Sequence, residues 1–341
     1  MTPLPEPAFE LPPPPPPSTP PPTPPTEPKA PRPTNLWPIA IASFVLGLIV
    51  FGGWAAKLIP RGWTTAAALC FAGLVLFGLS FVRLPLVPVK EEALSFLQKL
   101  TGIFFEPSSV YRNLREHPRW IGAFIVIGVL TIIYSAAFIQ RITPERIVEH
   151  TNEKMAEMGS FAPPPEAREQ IKADSLEALK SPVQRVAGAV NTLVGLFVVS
   201  VIVAALSLLG ILAFGGRINF WQALAVTFWG ALPVVAIQKL LGLVILYLKS
   251  PEDLHPILNQ ETTLQDNLGF LLSPADYPVL FVLASFIGLT SFYGLWLRAK
   301  GLHLGATRAS SGAGWGVAIM LWVLLLVIAL IFTALFPSFI S

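Results

Sequence analysis

The stretch GIFFEPSSVYRNLREHPRWIGAF, residues 102–124, joins a polar run flanked by prolines to the start of a long apolar run. Three arginines, two glutamates and one histidine lie directly before side chains that suit a hydrocarbon environment. Charged and aromatic residues concentrate in this way where a chain meets the interface between membrane and water. The stretch therefore predicts that the chain approaches a bilayer here and then crosses it.

The composition places the whole chain among membrane proteins. Hydrophobic residues make up 53% of the 341 residues and charged residues only 13%, and the mean hydropathy is +0.65, well away from a soluble domain. A single cysteine, Cys70, excludes an intrachain disulfide and a thiolate metal cluster. The net charge of +3 is small and forms no basic stripe, so nucleic acid is not an expected partner.

Catalytic motifs are missing from the sequence. It has no phosphate-binding loop, no nucleophile elbow and no zinc-protease helix, although these motifs would mark the common reaction classes. We therefore expect no enzymatic activity, no cofactor and no resident metal.

The lengths of the apolar runs predict about seven transmembrane helices, because a helix needs about 20 mostly apolar residues to cross roughly 30 Å of hydrocarbon. The first two runs form an N-terminal hairpin, and the other five form a helical core. The expected fold class is an all-α integral membrane protein. The predicted spans are residues 36–56, 64–82, 120–139, 186–214, 220–248, 278–297 and 315–336.

Composition also divides the chain into parts. Residues 1–34 carry half of the 34 prolines and are expected to be a disordered tail, either a docking element or a solubilising spacer. Residues 35–89 are the two-helix hairpin, and residues 90–119 are an amphipathic lead-in segment at the membrane interface. Residues 120–341 complete the membrane core.

A polar loop, residues 141–182, interrupts that core. Thr143 and Pro144 suit the N-cap and the first position of a helix, and a second helix is expected after a triple proline. The two helices either cap the bundle or are merely solvated. The pattern EHTNE, residues 149–153, has a spacing that a metal could use, but an exposed polar helix explains it more simply.

The distribution of Lys and Arg predicts the orientation of the chain. If the tail is cytoplasmic, the short inner loops hold twelve of these residues and the short outer loops hold three. The link at residues 249–277 carries five acidic residues, Asp266 among them, and is assigned to the outer face. Positive charge in short loops favours the cytoplasmic side. We therefore expect a cytoplasmic N-terminus.

Lys239 is a charged side chain well inside a predicted span, and such residues are costly enough to be functional candidates by default. With Gln238 beside it, Lys239 could belong to a transport or proton path. Alternatively, it snorkels or pairs with a neighbouring helix. This span of 29 residues is about 43 Å long, and Pro233 is expected to bend it.

The opening stretch resembles the entry segment of bacterial membrane proteins of the Yip family, the Ypt/Rab-GTPase-interacting-protein family. The shared pattern is a proline, a short amphipathic helix, a second proline and the first core span, here Pro107, the following turns, Pro118 and Trp120. The resemblance continues in residues 218–244 and 292–302, and it implies a core of five spanning helices.

Within this resemblance the short helix lies along the membrane interface. Its apolar side chains, Val110 and Leu114 among them, would point into the membrane. Arg112, Arg115 and Arg119 would then contact anionic head groups.

The family resemblance implies a non-enzymatic, multi-pass protein of a bacterial cytoplasmic membrane that organises membrane components or trafficking through partner contacts. The expected partners are the lipid bilayer, a protein that docks on the proline-rich tail and a second copy of the chain. The alternative is a small-solute or ion transporter, or a channel, with an intramembrane path near Lys239.

Overall fold

The computed structural model describes residues 36–56, 62–82, 92–158, 162–256, 264 and 266–336, so the tail predicted at residues 1–34 lies outside the described residues. Short 3-10 turns are found at Pro251–Asp253 and Leu268–Leu271. The α-helices are α1 (Trp37–Ala55), α2 (Gly62–Ser80), α3 (Phe96–Phe105), α4 (Pro107–Glu116), α5 (Ile121–Ile142), α6 (Pro144–Ala156), α7 (Pro165–Lys180), α8 (Pro182–Ala213), α9 (Phe220–Leu248), α10 (Pro278–Ser285), α11 (Leu289–Leu304) and α12 (Ser311–Leu335).

The described part of the chain contains six helices that are long and apolar enough to cross a membrane: α1, α2, α5, α8, α9 and α12. Their bounds lie within a few residues of the predicted spans, and those of α9 coincide with them. Large apolar side chains such as Ile49 and Leu74 are exposed on the outside of the bundle, where a bilayer would cover them. The prediction of an all-α, multi-pass membrane protein is confirmed.

The sixth predicted span, residues 278–297, is wrong as one continuous helix. It is divided into α10 and α11 by a break at residues 286–288. Gly288 has extended backbone and forms an isolated antiparallel bridge with Asn267. A Cβ atom added to Gly288 would lie 2.8 Å from the Cβ of Asn267, so the close approach of the two segments requires glycine.

Helix α9 lies at the centre of the bundle and contacts α5, α8 and α11. Its first half is buried almost continuously, with Phe228 and Trp229 among the largest fully buried side chains. Pro233 lies inside the helix, where it cannot donate a backbone hydrogen bond to the preceding turn. The bend expected at Pro233 stays a prediction.

Glycines let α1 and α2 pack closely as a hairpin. A Cβ atom added to Gly47 would lie 2.6 Å from Cys70 Sγ and 3.0 Å from the carbonyl oxygen of Ala66. On the facing helix, a Cβ atom at Gly73 would lie 3.0 Å from the carbonyl oxygen of Ala40. Small residues at such contacts allow membrane helices to approach each other, so this pair of glycines sets the spacing of the hairpin.

Two polar helices, α6 and α7, follow α5. Ion pairs join them, with Lys180 Nζ 2.5 Å from Glu145 and Lys172 Nζ 3.6 Å from Glu149. Helix α6 begins at Pro144, as the sequence predicted, and α7 begins at Pro165, the last residue of the triple proline after which it was expected. Thr143 precedes α6 but makes no side-chain capping bond, and its φ of 74° lies in the left-handed region.

A backbone pairing joins two loops at one end of the bundle. Arg217, between α8 and α9, donates its N–H to the carbonyl of Arg308 at 2.5 Å, and Arg308, between α11 and α12, donates back at 3.1 Å. The pairing holds the ends of four helices together.

Candidate functional sites

The lead-in segment forms α3 and α4, and α4 packs against the bundle. Val110, Tyr111 and Leu114 are fully buried in the main hydrophobic cluster. The Tyr111 ring lies against Gly301 of α11, where an added Cβ atom would be 2.8 Å from Cε1. The expectation that this apolar side points into lipid is therefore wrong, because neighbouring helices offer a protein surface that covers it.

Hydrogen bonds from α9 fix the end of the lead-in segment. Gln222 Nε2 donates to the carbonyl oxygen of Arg115 at 2.6 Å, and Trp229 Nε1 donates to the carbonyl oxygen of Arg119 at 2.9 Å. The backbone is thus held while the side chains of Arg112 and Arg119 stay exposed and that of Arg115 is partly exposed. Contacts of these arginines with head groups stay a prediction.

A cavity of about 540 Å³ lies between α3 and the start of α5, and we call it the lead-in cavity. This volume is within the usual range for sites that take small molecules. Two cationic side chains and several large apolar side chains share its wall: Lys99, Arg119, Phe96, Trp120, Ile121 and Trp229.

Lys99 is an unusual component of this wall. Lys99 is only 2% exposed, and its Nζ has no hydrogen-bond partner among the described residues. Burial, together with the positive charge of Arg119, lowers the pKa of Lys99 to about 8. Since this pKa remains above neutral pH, most molecules carry the charge there, and a buried charge without a partner is costly.

The intramembrane candidates Gln238 and Lys239 contact different helices. Gln238 Nε2 donates to Thr290 Oγ1 of α11 at 3.3 Å. Lys239 Nζ lies 4.5 Å from the centre of the Tyr134 ring of α5, an arrangement in which the ring face attracts the cation. The two residues therefore connect α9 to its neighbours on either side.

Sequence reasoning missed the role of Asp266, which it assigned to an outer loop. The segment of Asp266 reaches the break between α10 and α11, where its carbonyl oxygen accepts the backbone N–H of Leu289 at 3.2 Å. Next to it, Leu268 donates its N–H to the carbonyl oxygen of Ile287 at 3.0 Å. Gly288, a glycine within an apolar run, was the signal that could have indicated this break.

A histidine pair lies outside the predicted spans. The rings of His150, in α6, and His255 are 4.9 Å apart in an edge-to-face arrangement. Arg146 of α6 donates hydrogen bonds to carbonyl groups of the turn at residues 251–254, which holds this turn on α6.

Burial is the main cause of the low pKa values of both histidines. It lowers the pKa of His150, and it lowers that of His255 to about 4 with further contributions from His150 and nearby cations. Within the described ranges, no group of three or more His, Cys, Asp or Glu side chains is arranged to hold a metal ion. The metal reading of residues 149–153 gains no support from this geometry.

A family model matches most of the membrane core. The model described as the Yip1 domain matches residues 101–333, about two thirds of the chain. The matched region begins in α3 and ends in α12, so it includes most of the lead-in helices, the central helix α9 and the broken helix. The chain has no significant match to a curated protein or to a solved structure.

Proposed function

Because the chain belongs to the Yip1 domain family, we propose that it is a non-enzymatic membrane protein that organises membrane components or trafficking through contacts with partners. The bilayer is one partner, and a protein that docks on residues 1–34 is the second. In this proposal the N-terminus is cytoplasmic, so the proline-rich tail reaches partners on that side of the membrane.

The use of the intramembrane polar side chains supports this proposal. Gln238 is hydrogen-bonded to Thr290, and Lys239 lies over the ring of Tyr134. Each polar group therefore stabilises a contact between two helices. Such a structural role is expected in a scaffold, which needs no polar path through the membrane. Arg112, Arg115 and Arg119 would contribute in another way, by holding the lead-in segment at anionic head groups.

Deletion of residues 1–34 tests the proposal directly. The full chain and the deletion variant would be compared by in-cell crosslinking and mass spectrometry, with equal amounts of protein in the membrane. We expect a reproducible set of crosslinked proteins that is lost from the deletion variant. An unchanged set would contradict the assignment of the tail as the docking element.

The broken helix favours a second candidate function, that of a small-solute or ion transporter. Discontinuous helices near the bilayer midplane are typical of transporter binding sites, and the break at residues 286–288 lies next to Thr290, the partner of Gln238. In this alternative, Lys239 would lie on the transport path.

Flux measurements separate the two functions. The full chain and the Lys239→Met variant would be reconstituted in vesicles and tested with protons and a panel of ions and small solutes. The scaffold proposal predicts no flux above that of empty vesicles for either protein. Flux that is lost in a correctly folded Lys239→Met variant would establish the transporter and overturn the scaffold.

A further inference from the structure

The lead-in cavity contains a cation that the described protein does not neutralise. Lys99 Nζ is buried and has no hydrogen-bond partner, and none of the described residues that line the cavity is acidic. Arg119 adds a second positive charge to the same wall. Removing an ammonium group from water is costly unless an anion or another acceptor compensates for it, so the cavity is complementary to an anion.

Local hydrogen bonds hold the helix that carries Lys99 in place. Ser95 and Gln98 form a capping box at the start of α3. The N-cap residue, Ser95, lies four positions before Lys99. The Asn113 side chain donates to the carbonyl of Glu92 at 2.9 Å and accepts the N–H of Leu94 at 3.2 Å. The segment before α3 is thereby attached to α4, and the side of the cavity that carries Lys99 is fixed.

The surroundings of the cavity indicate the kind of anion. Leu97 and Phe105, on the same short helix as Lys99, are 68% and 85% exposed, as expected for side chains covered by lipid. Trp120 lines the cavity at the entry to α5, and tryptophan at the end of a span marks the level of the head groups. The phosphate groups found at the level of the head groups belong to phospholipids, whose acyl chains would lie against the exposed apolar side chains.

From this arrangement we infer that the lead-in cavity binds the phosphate group of an anionic phospholipid. Lys99 and Arg119 contact the phosphate, and Phe96, Trp120 and Ile121 contact the glycerol and the first part of the acyl chains. The inference is independent of the proposed function, since a scaffold and a transporter could both hold such a lipid.

Lipid binding to the purified, delipidated full chain tests the inference. Native mass spectrometry would measure the affinities for dioleoyl-phosphatidylglycerol and dioleoyl-phosphatidylcholine, and glycerol 3-phosphate would serve as the soluble phosphate. We expect phosphatidylglycerol to bind about tenfold more tightly than phosphatidylcholine, which has the same phosphate but adds a choline cation that Lys99 and Arg119 repel. It should also bind about tenfold more tightly than glycerol 3-phosphate, which lacks the acyl chains.

Matched variants assign the binding to this cavity. Lys99→Met keeps the length of the side chain and removes the charge, so the preference for phosphatidylglycerol should fall about tenfold. Lys99→Arg keeps a cation and should retain most of the preference. Lys249→Gln removes one exposed positive charge outside the lead-in segment and should change the affinity less than about twofold.

Three results would overturn the inference. The first is equal affinity of the parent for the anionic and the zwitterionic lipid. The second is a Lys99→Met variant that binds phosphatidylglycerol as the parent does, or no more weakly than Lys249→Gln. The third is binding of glycerol 3-phosphate as tight as that of phosphatidylglycerol, which would assign the cavity to a soluble phosphate compound.

Discussion

The carboxylate of Asp266 accepts the backbone N–H of Thr290 at 2.6 Å. This bond satisfies one of the N–H groups that remain unpaired at the start of a helix, here α11. The acceptor normally comes from the residue just before the helix, but in this protein it comes from a segment 24 positions earlier in the chain. Asp266 thus acts as an N-cap supplied by a distant loop, and it stabilises a helix that begins within the bundle.

Replacing Asp266 should destabilise this junction. Asp266→Ala removes the acceptor and is expected to lower the free energy of unfolding by about 1 to 2 kcal/mol, the usual range for a lost cap. Asp266→Asn keeps an acceptor oxygen and should cost less. Reversible unfolding in mixed micelles would measure both changes. Asp276→Ala is the matched control, because Asp276 is exposed, and an equal effect of the two alanine variants would contradict the capping role.

Close packing in the hairpin makes a second prediction. Gly47→Ala should lower the free energy of unfolding by about 1 to 3 kcal/mol, because backbone atoms of α2 lie 3.0 Å from the added Cβ position. Gly52, on the same helix, has nothing within 4 Å of that position. Gly52→Ala should therefore have little effect or a slightly stabilising one. The same unfolding assay compares the two variants, and similar losses would show that spacing is not the cause.

The histidine pair predicts that acid destabilises the part of the protein formed by α6 and the turn at residues 251–254. Unfolded histidines take up protons near pH 6.5, whereas folded His255 does so only at about pH 4. Between these values the unfolded state binds more protons, so stability should fall as the pH is lowered from about 7 toward about 4. Below about pH 4 the contribution of His255 should fall no further.

The pH dependence of unfolding, followed with the full chain in detergent, measures this effect. His255→Asn should flatten the curve between about pH 6.5 and about pH 4, because one of the two groups with a lowered pKa is gone. Thr151→Val is a suitable control on α6, since Thr151 Oγ1 donates to the Ile147 carbonyl of its own helix at 2.8 Å. If His255→Asn and the parent share one slope, the pair does not cause the acid sensitivity.

Lys239 and Tyr134 should be energetically coupled. Their contact at 4.5 Å predicts a coupling of about 0.5 to 2 kcal/mol in a double-mutant cycle built from Lys239→Met and Tyr134→Leu. Lys239→Met alone should change stability by less than about 1 kcal/mol, because loss of the contact is offset by removal of an intramembrane charge. A cycle with Lys249→Met serves as the control, and a coupling near zero for Lys239 would refute the structural role.

Hydropathy alone located the six long spans, because a bilayer imposes a length of about 20 apolar residues on any helix that crosses it. It could not reveal the break at residues 286–288, since the apolar run continues through it without a charge. The break depends on a contact with Asp266 and Asn267, which are close only after folding. For the same reason Asp266 was interpreted as part of a polar outer loop.

Among the candidate site residues, too, the sequence indicated those that stand out locally and missed those that depend on contacts formed by folding. Lys239 and Gln238 could be chosen from the sequence because polar residues within an apolar span are conspicuous. Lys99 could not, since one lysine among the charges of the lead-in segment looks like any other interfacial cation. Its burial arises from the packing of α3 against Trp229 and the start of α5, and neither contact follows from local sequence.

The pairing of Arg217 with Arg308 constrains how the bundle can move. Two reciprocal backbone hydrogen bonds form a hinge at the point where the ends of four helices meet, namely α8, α9, α11 and α12. Sliding of one of these helices along its axis would break the two hydrogen bonds, whereas a small rotation of a helix about the hinge would keep them. Displacements between these four helices should therefore grow with distance from Arg217, and they should be largest at the opposite end of the bundle.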